Sequence, residues 1–114
     1  MKKITLALAL AGVMAAGTAF ADPIVGKWRT GNGGTVNVAK CGGSFCVKVV
    51  GGQYGGKAIG QFAKNGEKYN GTIIDPEQDK KYRGAAWFQG DNTLKMRGSV
   101  LGGLIGRTDT WKRM

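Results

Sequence analysis

Gly106-Arg107-Thr108-Asp109-Thr110-Trp111-Lys112-Arg113 alternates along a Thr- and aromatic-bearing run at the end of a 114-residue chain, the pattern of a closing β-strand that must pair with something. The partner it predicts is Ile24 to Thr30. Gly26-x-Trp28 opens the region after the N-terminal segment and Trp111-x-Arg113 ends it, the mirror expected of a sheet that meets itself. Everything between them reads as meander.

Working outward, Gly31-Asn32-Gly33-Gly34 is a turn, Thr35 to Lys40 alternates as a half-buried strand, and Cys46 to Val50 is its hairpin mate. From Gly51 to Gly66 the alternation fades, and this stretch is expected as a short helix or an irregular strand across one barrel mouth. Glu67 to Ile74 is a strand that ends at the Asp75-Pro76-Glu77-Gln78-Asp79 turn; Lys81 to Gln89 returns; Thr93 to Val100 follows Gly90-Asp91-Asn92. Leu101-Gly102-Gly103-Leu104-Ile105 leads into the closing strand. The fold class predicted is all-β, a small antiparallel up-and-down barrel of about seven or eight strands. Glycines inside the runs, at Gly71, Gly84 and Gly98, mark bends of the wall.

Met1 to Ala21 has lysines at positions 2 and 3, an apolar run from Ile4 to Gly17 and a small-x-small end at Ala19-Phe20-Ala21, the composition of a cleaved secretory signal. One domain, residues 22–114, is expected after it, in the bacterial periplasm or the medium, with no transmembrane anchor. So small a domain has a modest core and needs help. Cys41 and Cys46 supply it, because Gly42-Gly43-Ser44-Phe45 between them folds two short strands back on each other in an oxidising compartment. A disulfide closing that loop contributes about 2 kcal/mol.

The formal charge of +10 falls to +8 without Lys2 and Lys3. Lys27 and Arg29, Lys81 and Arg83, and Lys95 and Arg97 sit two residues apart, so each pair decorates one face of its strand, while Ile24 and Trp28, Tyr82 and Phe88, and Leu94 and Met96 take the other. A basic exterior around an apolar interior follows. Asp22, Glu67, Asp75, Glu77, Asp79 and Asp91 fall between the runs, where turns use them. Asp109 is the exception.

Arg107, Asp109, Trp111 and Arg113 share one parity of the last strand. With Trp111 inward, either Asp109 neutralises the arginines while Trp28 and Trp111 cap a barrel floor, or one arginine is free to hold the head group of an anionic ligand. With Trp111 outward, the cluster lies on the surface. Tyr54, Phe62, Tyr69, Tyr82, Trp87 and Phe88 supply aromatic surface for a core or a pocket wall, with Trp87 read as an exposed ring beside Arg83. Arg107, Asp109, Trp111, Arg113, Trp28 and Tyr82 are the candidate ligand-binding residues.

Taken together, Gly26-Lys27-Trp28, Cys41-Gly42-Gly43-Ser44-Phe45-Cys46, Ile73-Ile74-Asp75-Pro76 with Lys81-Tyr82, Arg97-Gly98 and the closing stretch Gly106 to Arg113 give the chain a resemblance to the uncharacterised exported bacterial family known as domain of unknown function 2147. It departs from that pattern in a shorter stretch from Gly51 to Gly66 and in Val47, where a glycine commonly follows the second cysteine. The resemblance implies fold and export, and no activity. More loosely the chain is similar to the calycins, lipocalin-like barrels in which an early Gly-x-Trp meets a late arginine over the indole; that likeness implies Trp28 under Arg107 or Arg113.

The chain has no histidine, its two cysteines are expected as a disulfide and its carboxylates fall in turns, so a catalytic role is not expected. No cofactor, no metal and no nucleic acid is expected. The reading is a non-enzymatic, exported β-barrel binding module for a small amphipathic or anionic molecule. The alternative is a structural or stress-related envelope protein that docks on anionic lipid or polysaccharide through its basic exterior.

Overall fold

A computed structural model describes residues 22–100 and 105–114. Eight antiparallel strands follow one another around a closed barrel: β1 (Gly26–Arg29), β2 (Thr35–Cys41), β3 (Ser44–Val50), β4 (Ala58–Asn65), β5 (Lys68–Asp75), β6 (Lys80–Phe88), β7 (Thr93–Val100) and β8 (Ile105–Arg113). The expected secretory signal (1–21) and the expected lead-in at 101–104 lie outside the described residues.

The stretch from Gly51 to Gly66 corrects the sequence reading. No helix forms there; residues 51–57 make turns and Ala58 onward is a regular strand, β4. Its alternation is hidden by a bulge. Val47 faces Gly60 and Lys48 faces Ala58, so Ile59 is the extra residue, and the inward parity resumes at Gly60 and Phe62. Between β4 and β5, Gly66 takes φ 67°, a left-handed conformation that glycine adopts without cost.

The predicted hairpin disulfide is present. Ala39 pairs with Cys46 and Cys41 with Ser44, which sets the two cysteines diagonally across the β2–β3 hairpin with Cα atoms 5.8 Å apart. The cross-link pins the end of the barrel at which β1 begins.

Antiparallel register divides the barrel into two ends. The floor holds the start of β1, the β2–β3, β4–β5 and β6–β7 turns, and the end of β8; the mouth holds the opposite ends of the strands, with the β1–β2, β3–β4 and β5–β6 connections. The core sits toward the floor, where Ile24, Trp28, Phe62, Tyr69 and Leu94 are fully buried. Phe88 stands between Trp28 and Tyr69 with ring centroids 6.0 and 6.2 Å away, and Phe45 meets Tyr69 edge-on at 5.7 Å. Tilted and edge-to-face contacts of this kind are the favoured aromatic geometries.

The closing strand pairs as its sequence predicts, though narrowly. Trp28 faces Arg113 and Arg29 faces Lys112, and with those two pairs the β1–β8 ladder ends.

Candidate functional site

At the floor, residues Asp22 to Val25 fold under the barrel as a plug. The Val25 amide donates to the Asp22 carbonyl at 2.9 Å, and the Ile24 amide donates to Asp22 Oδ1 at 3.0 Å. Asp22 also accepts the Tyr69 hydroxyl, and Lys64 Nζ lies 3.1 Å from Oδ2. Burial opposes ionisation of this carboxyl, but the Ile24 amide, the Tyr69 hydroxyl and the Lys64 ammonium outweigh it and hold Asp22 below its ordinary value. Tyr69 is pushed up by burial first and then by its bond to Asp22 and that group's charge.

The same pair dictates a pH response. The folded chain holds Asp22 ionised below its ordinary value of 3.8, so its contribution is present above that pH and is lost as pH falls through the depressed folded value. Tyr69 keeps its proton above its ordinary 10.0, so its share is present below pH 10 and is lost as pH rises beyond it. Denaturant titrations across pH should show Asp22→Asn flattening the acid limb and costing about 1–2 kcal/mol at neutral pH, where a charged acceptor becomes a neutral one. Tyr69→Phe should flatten the alkaline limb.

Trp28 completes the floor. Its indole Nε1 donates to the Ile24 carbonyl at 2.9 Å, and the Arg113 guanidinium lies 4.4 Å from the ring centroid. Arg113 also donates to the Pro23 carbonyl (2.8 Å), the Asp91 carbonyl (3.1 Å) and Asn92 Oδ1 (3.2 Å). Of the two arginines expected over the indole, Arg113 takes the place, and its donors tie the plug to the β6–β7 turn.

Asp109 pairs with neither arginine. Its carboxylate accepts the Trp111 indole N–H at 3.0 Å, the Thr110 amide at 2.9 Å and the Gly31 amide at 3.2 Å. The last bond crosses the seam where β1 has left β8, so a side chain replaces the missing ladder. Gly31 must be glycine for this contact, since a Cβ there would overlap Asp109 Oδ1. The expectation that Asp109 neutralises Arg107 and Arg113 is therefore corrected: three N–H donors occupy it.

Trp111 points inward and is buried. It lines a cavity of about 550 Å³ at the mouth, with Ile73, Tyr82, Met96 and Val100 as further apolar wall and Arg107, Asp109 and Asp75 as its charged groups. Asp75 Oδ1 is engaged by the Glu77 amide at 2.9 Å. Arg107 is exposed at the rim, and among the described residues it has no hydrogen-bond or ion-pair partner. The six candidate ligand residues thus divide. Arg107, Asp109, Trp111 and Tyr82 meet in the mouth cavity, whereas Trp28 and Arg113 belong to the floor and do not line it.

Three features escape a reading of single strands. Asp22 reads as an ordinary turn acid, because nothing local predicts its bond to Tyr69, 47 positions away. Trp87 is half-buried with Lys68 Nζ 5.6 Å from its ring, so its cation is the cross-strand Lys68 in place of the expected Arg83. Lys81 and Arg83 of β6 and Arg97 of β7 line a cleft of about 810 Å³ on the outer face, visible only once the strands are in register.

No curated protein and no solved structure matches the chain. The family described as "Uncharacterized protein conserved in bacteria (DUF2147)" matches residues 26–113, from the first residue of β1 to the last of β8. The chain belongs to that family of uncharacterised bacterial proteins.

Proposed function

We propose that the protein is a non-catalytic, exported binding module that takes one small amphipathic molecule into the mouth of its barrel. The observation that carries this reading is the asymmetry of the two ends: a floor sealed by Ile24, Trp28 and Arg113, and a mouth with a cavity of about 550 Å³. An eight-stranded barrel has room for one small ligand, and concave, mostly apolar sites of this size are where such ligands bind. Ile73, Met96 and Trp111 suit an apolar tail. Arg107 suits an acidic head, since its planar fork matches a carboxylate or phosphate and the nearby Asp75 and Asp109 already accept backbone or indole donors. The disulfide fits an oxidising compartment.

Native mass spectrometry of protein purified from the periplasm, followed by thermal shifts with fatty acids, lysolipids and glycans, tests the reading. A bound mass or a saturable shift is expected. Arg107→Gln should weaken an acidic-headed ligand by about tenfold, the loss of one charge-assisted hydrogen bond, while stability changes by less than about 0.5 kcal/mol, as for other exposed positions. An empty barrel that shifts with none of these compounds would remove the proposal.

A further inference from the structure

We infer that the outer cleft on β5, β6 and β7 is a second site, separate from the mouth cavity, and that it takes an acidic oligosaccharide. Asn70, Thr72, Lys81, Arg83, Arg97 and Ser99 line it, three cations beside one amide and two hydroxyls, and among the described residues no carboxylate takes part in its lining. Among the described residues Lys81 and Arg83 have no side-chain partner, and Arg97 has one distant contact, 3.4 Å to Thr108 Oγ1. The donors of the cleft are therefore available.

Register explains the arrangement. Arg83 faces Ser99, and Arg97 faces Ala85. The two arginines are diagonal neighbours, their bases roughly 7–8 Å apart by sheet geometry, with small residues beside each. Arg97 is seated by an absence: its Nη2 lies 2.6 Å from where a Cβ of Gly106 would be, so the guanidinium rests flat on β8 where a side chain would displace it.

Shape and chemistry select the occupant. Gly71 and Gly84, paired across β5 and β6, expose bare backbone at the base of the cleft between the outward side chains of Asn70, Thr72, Arg83 and Ala85, while the Cβ position of Gly84 is directed inward at Ile73 and Phe62. A recess in the sheet admits a narrow chain, and a flat bilayer does not enter it. Single-stranded nucleic acid is held by aromatic platforms as well as cations, and among the described residues the only aromatic lining the cleft is Tyr82, on the inward parity of β6. A sugar acid polymer presents acidic groups for the arginines and ring hydroxyls for Asn70, Thr72 and Ser99. Two spaced guanidinium forks then hold two acidic groups of one ligand.

The test is calorimetry with a galacturonate hexasaccharide and a sulfated heparin hexasaccharide, which separate carboxylate from sulfate recognition, with neutral dextran as control. Saturable, salt-sensitive binding of at least one acidic hexasaccharide is expected. Arg83→Gln/Arg97→Gln should weaken it by about tenfold or more, as two charge-assisted contacts are removed, while Lys27→Gln/Lys48→Gln, an equal charge loss on other strands, should change it by less than about twofold, the size of a screened surface effect. Lys81→Gln alone should give a smaller loss in the same direction, which keeps the test open should the double variant fold poorly. Amide NMR shifts should move at Asn70, Thr72 and Ser99. Equal losses in both double variants, shifts confined to Arg107 and Trp111, binding to phosphatidylglycerol vesicles but to neither hexasaccharide, or no binding at all would each overturn the inference. The mouth-cavity reading stands or falls separately, on Arg107→Gln.

Discussion

Trp28→Ala is expected to destabilise the barrel by about 4 kcal/mol, within the range for deleting a fully buried large aromatic side chain. The indole is completely buried. Its ring meets Phe88, its N–H satisfies the Ile24 carbonyl, and Arg113 stacks on it while holding the Pro23 and Asp91 carbonyls. Removing it opens a cavity, leaves a carbonyl of the plug unpaired and takes away the surface that orients Arg113. Trp28→Phe separates these effects. It fills most of the volume but cannot donate to Ile24, so it should cost about 1–2 kcal/mol, the scale of one buried hydrogen bond with modest repacking. Guanidinium denaturation followed by far-ultraviolet circular dichroism checks both, and loss of protection at the Ile24 and Val25 amides in hydrogen exchange would locate the damage at the floor. A Trp28→Ala variant as stable as the parent would show that the plug and the β1–β8 seam do not depend on this residue.

The seam shows how far a linear reading reaches. The pairing of Ile24–Thr30 with Gly106–Arg113 was legible, because both runs alternate and both carry tryptophan; the inward parity of Trp111 could be framed as a question and only the packing answers it. The position of Arg113 over Trp28 was legible as one of two choices. The role of Asp109 was not, since its partners are an indole on its own strand and the Gly31 amide, 78 residues away. A residue that bonds across a gap in a ladder leaves no periodic signal. β4 was obscured for a different reason: one bulged residue, Ile59, shifts the alternation by one, and a period-2 pattern cannot survive that shift. The floor, built from Asp22, Tyr69 and Lys64 on three separate segments, and the outer cleft, built from β5, β6 and β7, both depend on lateral register. That register is set by turn geometry and core packing jointly, and composition along any one strand does not contain it.

Gly71→Ala should have an effect of similar size, at least about 3 kcal/mol, the upper range of overpacking. A methyl at Gly71 would overlap the Gln61 carbonyl oxygen and lie 2.8 Å from both the Gln61 carbonyl carbon and the Phe62 Cα. These are backbone atoms of the neighbouring strand, where Phe62 pairs with Gly71 itself; they cannot turn aside as a side chain does, so β4 and β5 would have to separate. The two glycines beside it in the row provide graded controls. At Gly84 the methyl would meet side chains, Ile73 Cγ1 at 2.8 Å and Phe62 Cε1 at 2.9 Å, which can shift at some cost. At Gly98 the nearest atom is Ile73 Cδ1 at 3.5 Å, an ordinary contact, so Gly98→Ala should stay within about 1 kcal/mol of the parent, its steric effect offset by the smaller entropy of the unfolded chain. The predicted order of loss, Gly71 above Gly84 above Gly98, follows from what each methyl would strike and is measurable by urea denaturation of the three variants. It bears on binding as well. Gly98 lines the mouth cavity and not the outer cleft, so Gly98→Ala should leave oligosaccharide affinity intact, while Gly84→Ala, if it folds, should shift β6 beneath the cleft and weaken that affinity with no change at Arg83 or Arg97. Equal stability for the three variants would mean that the close approach of β4 to β5 at Gly71 is relieved without cost.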